Sequence, residues 1–194
     1  MMYEPFYAFI LKVFPEFKID PTLFDPFLRC VEVKKGDFLF QEGDVCKSIG
    51  FTLKGCVRIF LVKDERERTL SFHAENQSFG DFRSFLNQEP SEFSCEAIEP
   101  SKIILFDHHA MQFIEGLPDG QKFLRLHAEG FASKMRDRLT SLYVDTPEER
   151  YCRLFESEPE IIDRVSNYHL ASYLGIQPES LSRLKRRIYQ RRVS

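Results

Sequence analysis

Between Val31 and Asp107 the apolar residues of this chain fall into short runs separated by turn signals. The succession VEV, KKGD, FLF, QEGD, SIGFTL, KG, CVRIFLV, KDERER and TLSFH alternates β-branched and aromatic segments with charged or Gly-containing breaks. Segments of roughly four to seven residues recurring about every ten residues must pair into sheets, and that spacing belongs to a sandwich, barrel or roll. Gly36, Gly43 and Gly55 stand after Lys or Glu between the apolar runs, where a left-handed backbone at a turn favours glycine.

The flanking segments read differently. Residues 1–28 are rich in aromatics and punctuated by Pro5, Pro15, Pro21 and Pro26, which suggests short amphipathic helices lying against the next part of the chain. After FSCEAIEPSKIILF the pattern turns helical. Asp107 is placed to cap a helix through Glu115, ended by Gly116 with Pro118 beyond. A longer helix is expected from about Asp119 to Tyr143, along which Leu124, Ala128, Phe131, Met135, Arg138 and Leu142 step by 4, 3, 4, 3 and 4. This heptad seam suits self-association through Leu124, Ala128, Phe131, Met135 and Leu142; the alternative is a helix packed on its own domain. Thr146-Pro147-Glu148-Glu149 is a helix start, with a Thr cap, Pro at the first position and Glu149 at the capping-box position. It divides the chain into a β-rich part at 1–117, a long helix at 118–144 and a small helical part at 145–194.

The last part carries the motif. Ser166 can cap a helix ending at Leu174, Gly175 supplies the positive-φ residue after it, and Pro178 opens a second helix after a very short turn. Leu170, Leu174, Ile176, Leu181, Leu184 and Ile188 bury one side of both helices, and Ala171 is small where they must approach. That is helix-turn-helix spacing. Burying Leu181, Leu184 and Ile188 turns Glu179, Ser182, Arg183 and Arg186 outward, with Ser180 beside them. An Arg at such a position can bond guanine O6 and N7 together, and a Glu can accept from a cytosine amino group. Lys185, Arg187, Arg191 and Arg192 suit phosphates, which position a protein without reading sequence.

Overall charge at first argues otherwise, since 27 Lys+Arg against 30 Asp+Glu give −3. Its distribution reverses the inference. Residues 163–194 hold seven Lys/Arg and two acids, a net of +5, which leaves −8 on the first 162 residues.

A second constellation lies at Ser78-Phe79-Gly80-Asp81 and the residues after it. A Gly-acid pair between a strand and a short helix can present backbone N–H groups and a carboxylate to a small ligand, although Asp81 could equally do no more than cap Phe82–Leu86.

A β-roll, a Phe-Gly-acid segment before a short helix, a long heptad helix and a C-terminal helix-turn-helix together resemble the cyclic-AMP receptor protein / fumarate–nitrate regulator superfamily of bacterial transcription factors. The resemblance spans about residues 20–190 and is strongest at Phe79-Gly80-Asp81 and Leu170–Ile188. The family's recognition helix commonly carries a Glu and, four residues on, an Arg, matching Glu179 and Arg183. The resemblance implies an α+β fold: an N-terminal double-stranded β-helix, jelly-roll-like and of the cyclic-nucleotide-binding type, as sensor; a long dimerisation helix; and a winged-helix-like C-terminal domain. It further implies a cytoplasmic homodimer on near-palindromic double-stranded DNA, with RNA polymerase as a further partner, and an effector pocket around Gly80, Asp81, Arg83, Ser91 and Glu92.

Three departures qualify that reading. Cyclic-nucleotide binders of the family place an Arg followed by Ser or Thr downstream of the acid to clamp the cyclic phosphate; counted without gaps, this chain has Ser91-Glu92 there. Losing that contact forfeits about 1.5–3 kcal/mol, so cyclic AMP is an unlikely effector unless Arg83 turns inward to replace the clamp, and the effector is unassigned. The chain stops shortly after Ile188, so the β-wing is expected to be short or missing. Finally, no N-terminal cysteine cluster for iron–sulfur is present, and His73, His108, His109 and Cys46 are candidate haem ligands by residue type only.

Other classes fit less well. Cys30, Cys46, Cys56, Cys95 and Cys152 are scattered and form no C-x-x-C pair, which reads as reduced thiols rather than disulfides or a metal site. No apolar run reaches the length of a membrane span, and MMYEPFYAFILKVF lacks the features of a secretory signal. There is no nucleophile–base spacing, phosphate-cradling loop or metal motif of an enzyme. The competing function is a small-molecule-binding or protein-interaction module that does not bind DNA.

Overall fold

The computed structural model describes residues 2–193, with side chains through Arg191, and divides into two compact units. The first comprises Met1–Ile59 with Phe72–Ser133, and the second Phe60–Ser71 with Lys134–Ser194.

The first unit is built on two antiparallel-paired sheets. Helix α1 (Glu4–Val13) and the single turn α2 (Pro21–Phe24) lead into β1 (Leu28–Val33), β2 (Phe38–Phe40), β3 (Ile49–Lys54), β4 (Val57–Lys63), β5 (Arg66–His73) and β6 (Ser78–Phe79). After the short helix α3 (Phe82–Asn87) come β7 (Ser94–Ala97), β8 (Ser101–Phe106) and helix α4 (His108–Gly116). One sheet has the order β1-β8-β3-β6 and the other β2-β7-β4-β5. Sequence-distant strands lie side by side, with Cys30 and Phe51 both opposite Ile104, as a jelly roll requires. The turns expected at Gly36, Gly43 and Gly55 all have positive φ.

Phenylalanine, present 20 times, makes the core. Helix α1 lies against the roll: Phe6 meets Phe51 edge-on at 5.2 Å and Phe9 meets the same ring at 5.2 Å, while Phe17, in the loop after α1, stacks on Phe123 at 5.0 Å. Such aromatic pairs add about 0.5–1.5 kcal/mol each to the area they bury. Asp107 caps α4 as expected, accepting from the N–H groups of His109 and Ala110. Gly116 does not end that helix in a left-handed conformation; it is the last helical residue, Leu117 is extended, and Asp119 takes the positive φ before helix α5 (Gly120–Val144).

The second unit does not follow the linear boundaries. It contains the outer halves of β4 and β5, the C-terminal part of α5, and helices α6 (Pro147–Ser157), α7 (Pro159–Arg164), α8 (Asn167–Leu174) and α9 (Pro178–Val193). The hairpin turns at Asp64 and Glu65, both with positive φ despite lacking glycine. It is tied to α8 because the Ser172 hydroxyl accepts from the Thr69 N–H at 2.9 Å and donates to the Glu67 carbonyl at 3.0 Å. Thr146 and Glu149 form the full capping box that opens α6. No strand follows α6 among the described residues.

The α5–α6 junction is held by Asp145. Its carboxylate accepts from the Ser141 hydroxyl at 2.6 Å and from Arg153 at 3.0 Å, and these contacts hold it below the usual carboxylate range, the Ser141 hydrogen bond contributing most. Arg138, expected within the heptad seam, instead lies over the Tyr173 ring at 3.7 Å and donates to the Tyr173 carbonyl. Arg150 donates to the neighbouring Leu174 carbonyl at 2.9 Å, so two guanidiniums satisfy the end of α8, where the helix dipole favours cations. The other seam residues are open: Phe131, Met135 and Leu142 are at least 36% exposed and Ala128 is exposed, while Leu124 is half-buried. Leu139, 56% exposed, lies between Met135 and Leu142 on the helix.

Candidate nucleic-acid interface and effector site

The C-terminal helix pair forms from its own capping residues. The Ser166 hydroxyl accepts from the His169 N–H, and Gly175, at φ 70°, ends α8 with its N–H directed to the Ala171 and Ser172 carbonyls. Ile176 N–H closes the outer turn onto the Ala171 carbonyl at 3.0 Å. Leu170, Ala171, Leu174 and Leu181 are fully buried and Leu184 nearly so, while Ile176 and Ile188 are half-buried. A Cβ at position 175 would meet only ordinary contacts, Leu142 Cδ2 at 3.9 Å and Arg150 Nη2 at 4.0 Å. Gly175→Ala should therefore cost only the left-handed backbone, about 1–2 kcal/mol. Urea unfolding checks this; a loss above about 3 kcal/mol would mean that packing, not φ, requires the glycine.

Helix α9 presents a polar face. Glu179, Ser182, Arg183 and Arg186 are exposed, and Ser180 is half-buried with Arg183 reaching its hydroxyl at 3.4 Å. The Ser182 hydroxyl donates back to the Pro178 carbonyl at 3.1 Å. The other cations sit on the flanks and have partners within the chain. Lys185 donates to Asn167 Oδ1 at 2.7 Å, and burial pushes its pKa down against the opposing charge of Asp163. Arg187 and Arg191 both bind Glu148, at 2.6 and 2.7 Å. The side chain of Arg192 lies outside the described residues. The partner of two of these cations, Glu148, is a residue that sequence spacing did not single out.

In the first unit the five residues expected around an effector are brought together, in an arrangement that closes on itself. Asp81 caps α3, accepting from the Ser84 N–H at 3.1 Å, and its second oxygen accepts from the Ser91 hydroxyl at 2.8 Å. Ser91 is buried, and its backbone pairs with Asp44 and Gly43 at 2.8 Å each. Gly80 has φ 152°, and a Cβ there would lie 2.8 Å from Ile49 Cδ1, so no other residue fits without movement. Arg83 faces outward, 71% exposed, between Glu89 at 3.4 Å and Glu92 at 3.7 Å. Beside this loop, Ser78 Oγ and His127 Nε2 are 2.8 Å apart, and Phe82 packs between His127 and Phe131. Ser78, Phe82 and His127 were not legible as neighbours, because the helix that supplies His127 begins far along the chain.

The candidate haem ligands are in unlike surroundings. His73 is buried near Phe79, His108 stacks on Phe85 at 4.1 Å, His109 is exposed, and the Cys46 thiol donates to the Ser48 carbonyl. Among the described residues no three His, Cys, Asp or Glu side chains are placed to hold a metal ion, and no helix is long and apolar enough to cross a membrane.

Residues 30–114 match the family model described as the cyclic nucleotide-binding domain. No curated protein sequence matches the chain. Solved structures do. FixK2 from Bradyrhizobium japonicum is 19% identical, with a TM-score of 0.72 over 84% of this chain and 85% of its own. A CooA mutant from Carboxydothermus hydrogenoformans is 15% identical, with a TM-score of 0.68 over 93% and 84%. The c-di-GMP responsive global regulator CLP of Xanthomonas campestris is 16% identical, with a TM-score of 0.67 over 94% and 92%. Residues 30–114 thus match a cyclic nucleotide-binding domain, and the chain shares its fold with FixK2, the CooA mutant and CLP.

Proposed function

We propose that this protein is a sequence-specific DNA-binding transcription regulator that works as a homodimer, with a β-roll sensor whose effector is not cyclic AMP. The exposed row Glu179, Ser182, Arg183 and Arg186 on a helix anchored by Leu181 and Leu184 carries the reading. Its residue types suit base edges in the major groove, and the net +5 of residues 163–194 suits phosphates. The open apolar residues Phe131, Met135, Leu139 and Leu142 suit pairing of two copies, which sets two such helices on successive major grooves about 34 Å apart. The test is binding to duplex DNA across a salt series. A regulator loses affinity steeply as salt rises; a module that uses α9 for protein contacts leaves duplex unbound.

The effector proposal rests on Asp81, Ser91 and Arg83. The carboxylate and hydroxyl bond each other and the nearest guanidinium is outside, so a cyclic phosphate has no cation among these residues. The similar Xanthomonas campestris regulator is c-di-GMP responsive, a precedent for a different effector in this fold. Cyclic AMP at one hundred times a real dissociation constant would add about 2.7 kcal/mol and raise the melting temperature by several degrees. A shift below about one degree is expected at millimolar nucleotide; a saturable rise of several degrees would overturn the effector proposal.

A further inference from the structure

We propose that Glu148 acts as an internal competitor for DNA phosphates, withholding Arg187 and Arg191 and so keeping non-specific DNA affinity low. The inference rests on the proposed DNA-binding function and assigns an affinity-setting residue outside α9.

The geometry is one carboxylate shared by two guanidiniums. Glu148 Oε2 takes Arg187 Nη2 at 2.6 Å, and Oε1 takes Arg191 Nη1 at 2.7 Å, so both acceptor oxygens are committed. Glu148 is the more shielded partner, 30% exposed against 55% and 66% for the arginines. It also sits in the first turn of α6, just after the Thr146 cap and Pro147, where the helix dipole favours a negative charge. Glu148 is thus a well-placed acceptor that the arginines must leave to reach a phosphate.

Exposed ion pairs contribute little to stability, so the fold alone has small use for this arrangement. Its effect on binding is larger. Arg187 lies one turn beyond Arg183, and Arg191 one turn further, along the flank of the reading face. A guanidinium held by a carboxylate adds almost no net field, and leaving it uncovers a negative charge beside the DNA. Phosphate contacts are sequence-independent, so withholding two of them lowers affinity for every duplex. Discrimination by Glu179, Ser182 and Arg183 is untouched, so selected and random duplexes are weakened by a similar factor and less of the protein is held on random DNA.

The test uses the full chain with two duplexes, one carrying its selected site and one of random sequence. Each recruited Arg steepens the slope of log K against log salt by about 0.9, or about eightfold in affinity per tenfold fall in salt. Glu148→Gln should therefore steepen the slope by about 0.9–1.8 on both duplexes and tighten random DNA at least as much as the selected site. Glu148→Ala, which removes the carboxylate by a different change, should do the same. Adding Arg187→Gln and Arg191→Gln to Glu148→Gln should abolish the gain. Slopes equal to wild type in both Glu148 variants would overturn the proposal, as would a gain that survives loss of the two arginines. If wild-type protein binds neither duplex, the DNA-binding reading itself falls, a result distinct from binding that is indifferent to Glu148.

Discussion

Arg183→Ala is expected to erase a base preference at one position in each half-site while leaving most of the total affinity. Arg183 stands on the exposed face of α9, one turn from Glu179 and anchored from behind by Leu181 and Leu184. Its intramolecular contact is a 3.4 Å approach to the Ser180 hydroxyl, weak enough for a base edge to displace. A bidentate Arg–guanine contact gives about 1–3 kcal/mol of discrimination, and a two-fold dimer makes it twice, so selectivity should fall about 30-fold to about 20,000-fold. Random duplex, bound through phosphates, should lose less than tenfold. Glu179→Ala should relax a neighbouring position. Competition of selected against random duplex reads both, and unchanged selectivity in the two variants would remove α9 as the reading helix.

Leu139→Asp should dissociate the proposed homodimer. Phe131, Met135, Leu139 and Leu142 leave an apolar strip along α5, with Tyr143 and Val144 still more exposed at 83% and 74%. Burying a Leu side chain is worth about 1.5–3 kcal/mol, and a two-fold interface counts each substitution twice. The loss of about 3–6 kcal/mol weakens dimerisation by roughly 10²- to 10⁴-fold, before repulsion between two facing carboxylates is added. Sedimentation equilibrium should show wild type as a dimer and the variant as a monomer at micromolar concentration. In the proposed dimer each copy supplies one reading helix, so binding to a palindrome should fall with it. A wild-type monomer, or a dimer indifferent to Leu139, would place the interface elsewhere.

These expectations draw on features of unequal visibility in the sequence. Caps were legible because their chemistry is local: Asp107, Thr146, Ser166 and Gly175 each act within one helical turn. The exposed face of α9 was legible for a similar reason, since burial of Leu181 and Leu184 fixes what the rest of a helix exposes. The end of α4 at Gly116 was legible to within one residue, whereas the left-handed conformation that follows is taken by Asp119, which no local signal marked. Arg138 fitted the heptad by spacing alone; its destination on Tyr173 is set by tertiary packing, as is the pairing of Glu148 with Arg187 and Arg191. Around Asp81, spacing set Ser91 and Glu92 near the acid, but no periodicity could announce that Asp81 and Ser91 bond each other while Arg83 faces Glu89 and Glu92.

The proposal that two copies present paired reading helices is tested most directly by selecting bound sequences from random duplex DNA with the wild-type protein. The expected product is a near two-fold-symmetric motif whose half-site centres lie one helical turn, about ten base pairs, apart. Recovery of pools with no sequence enriched over the input would contradict it.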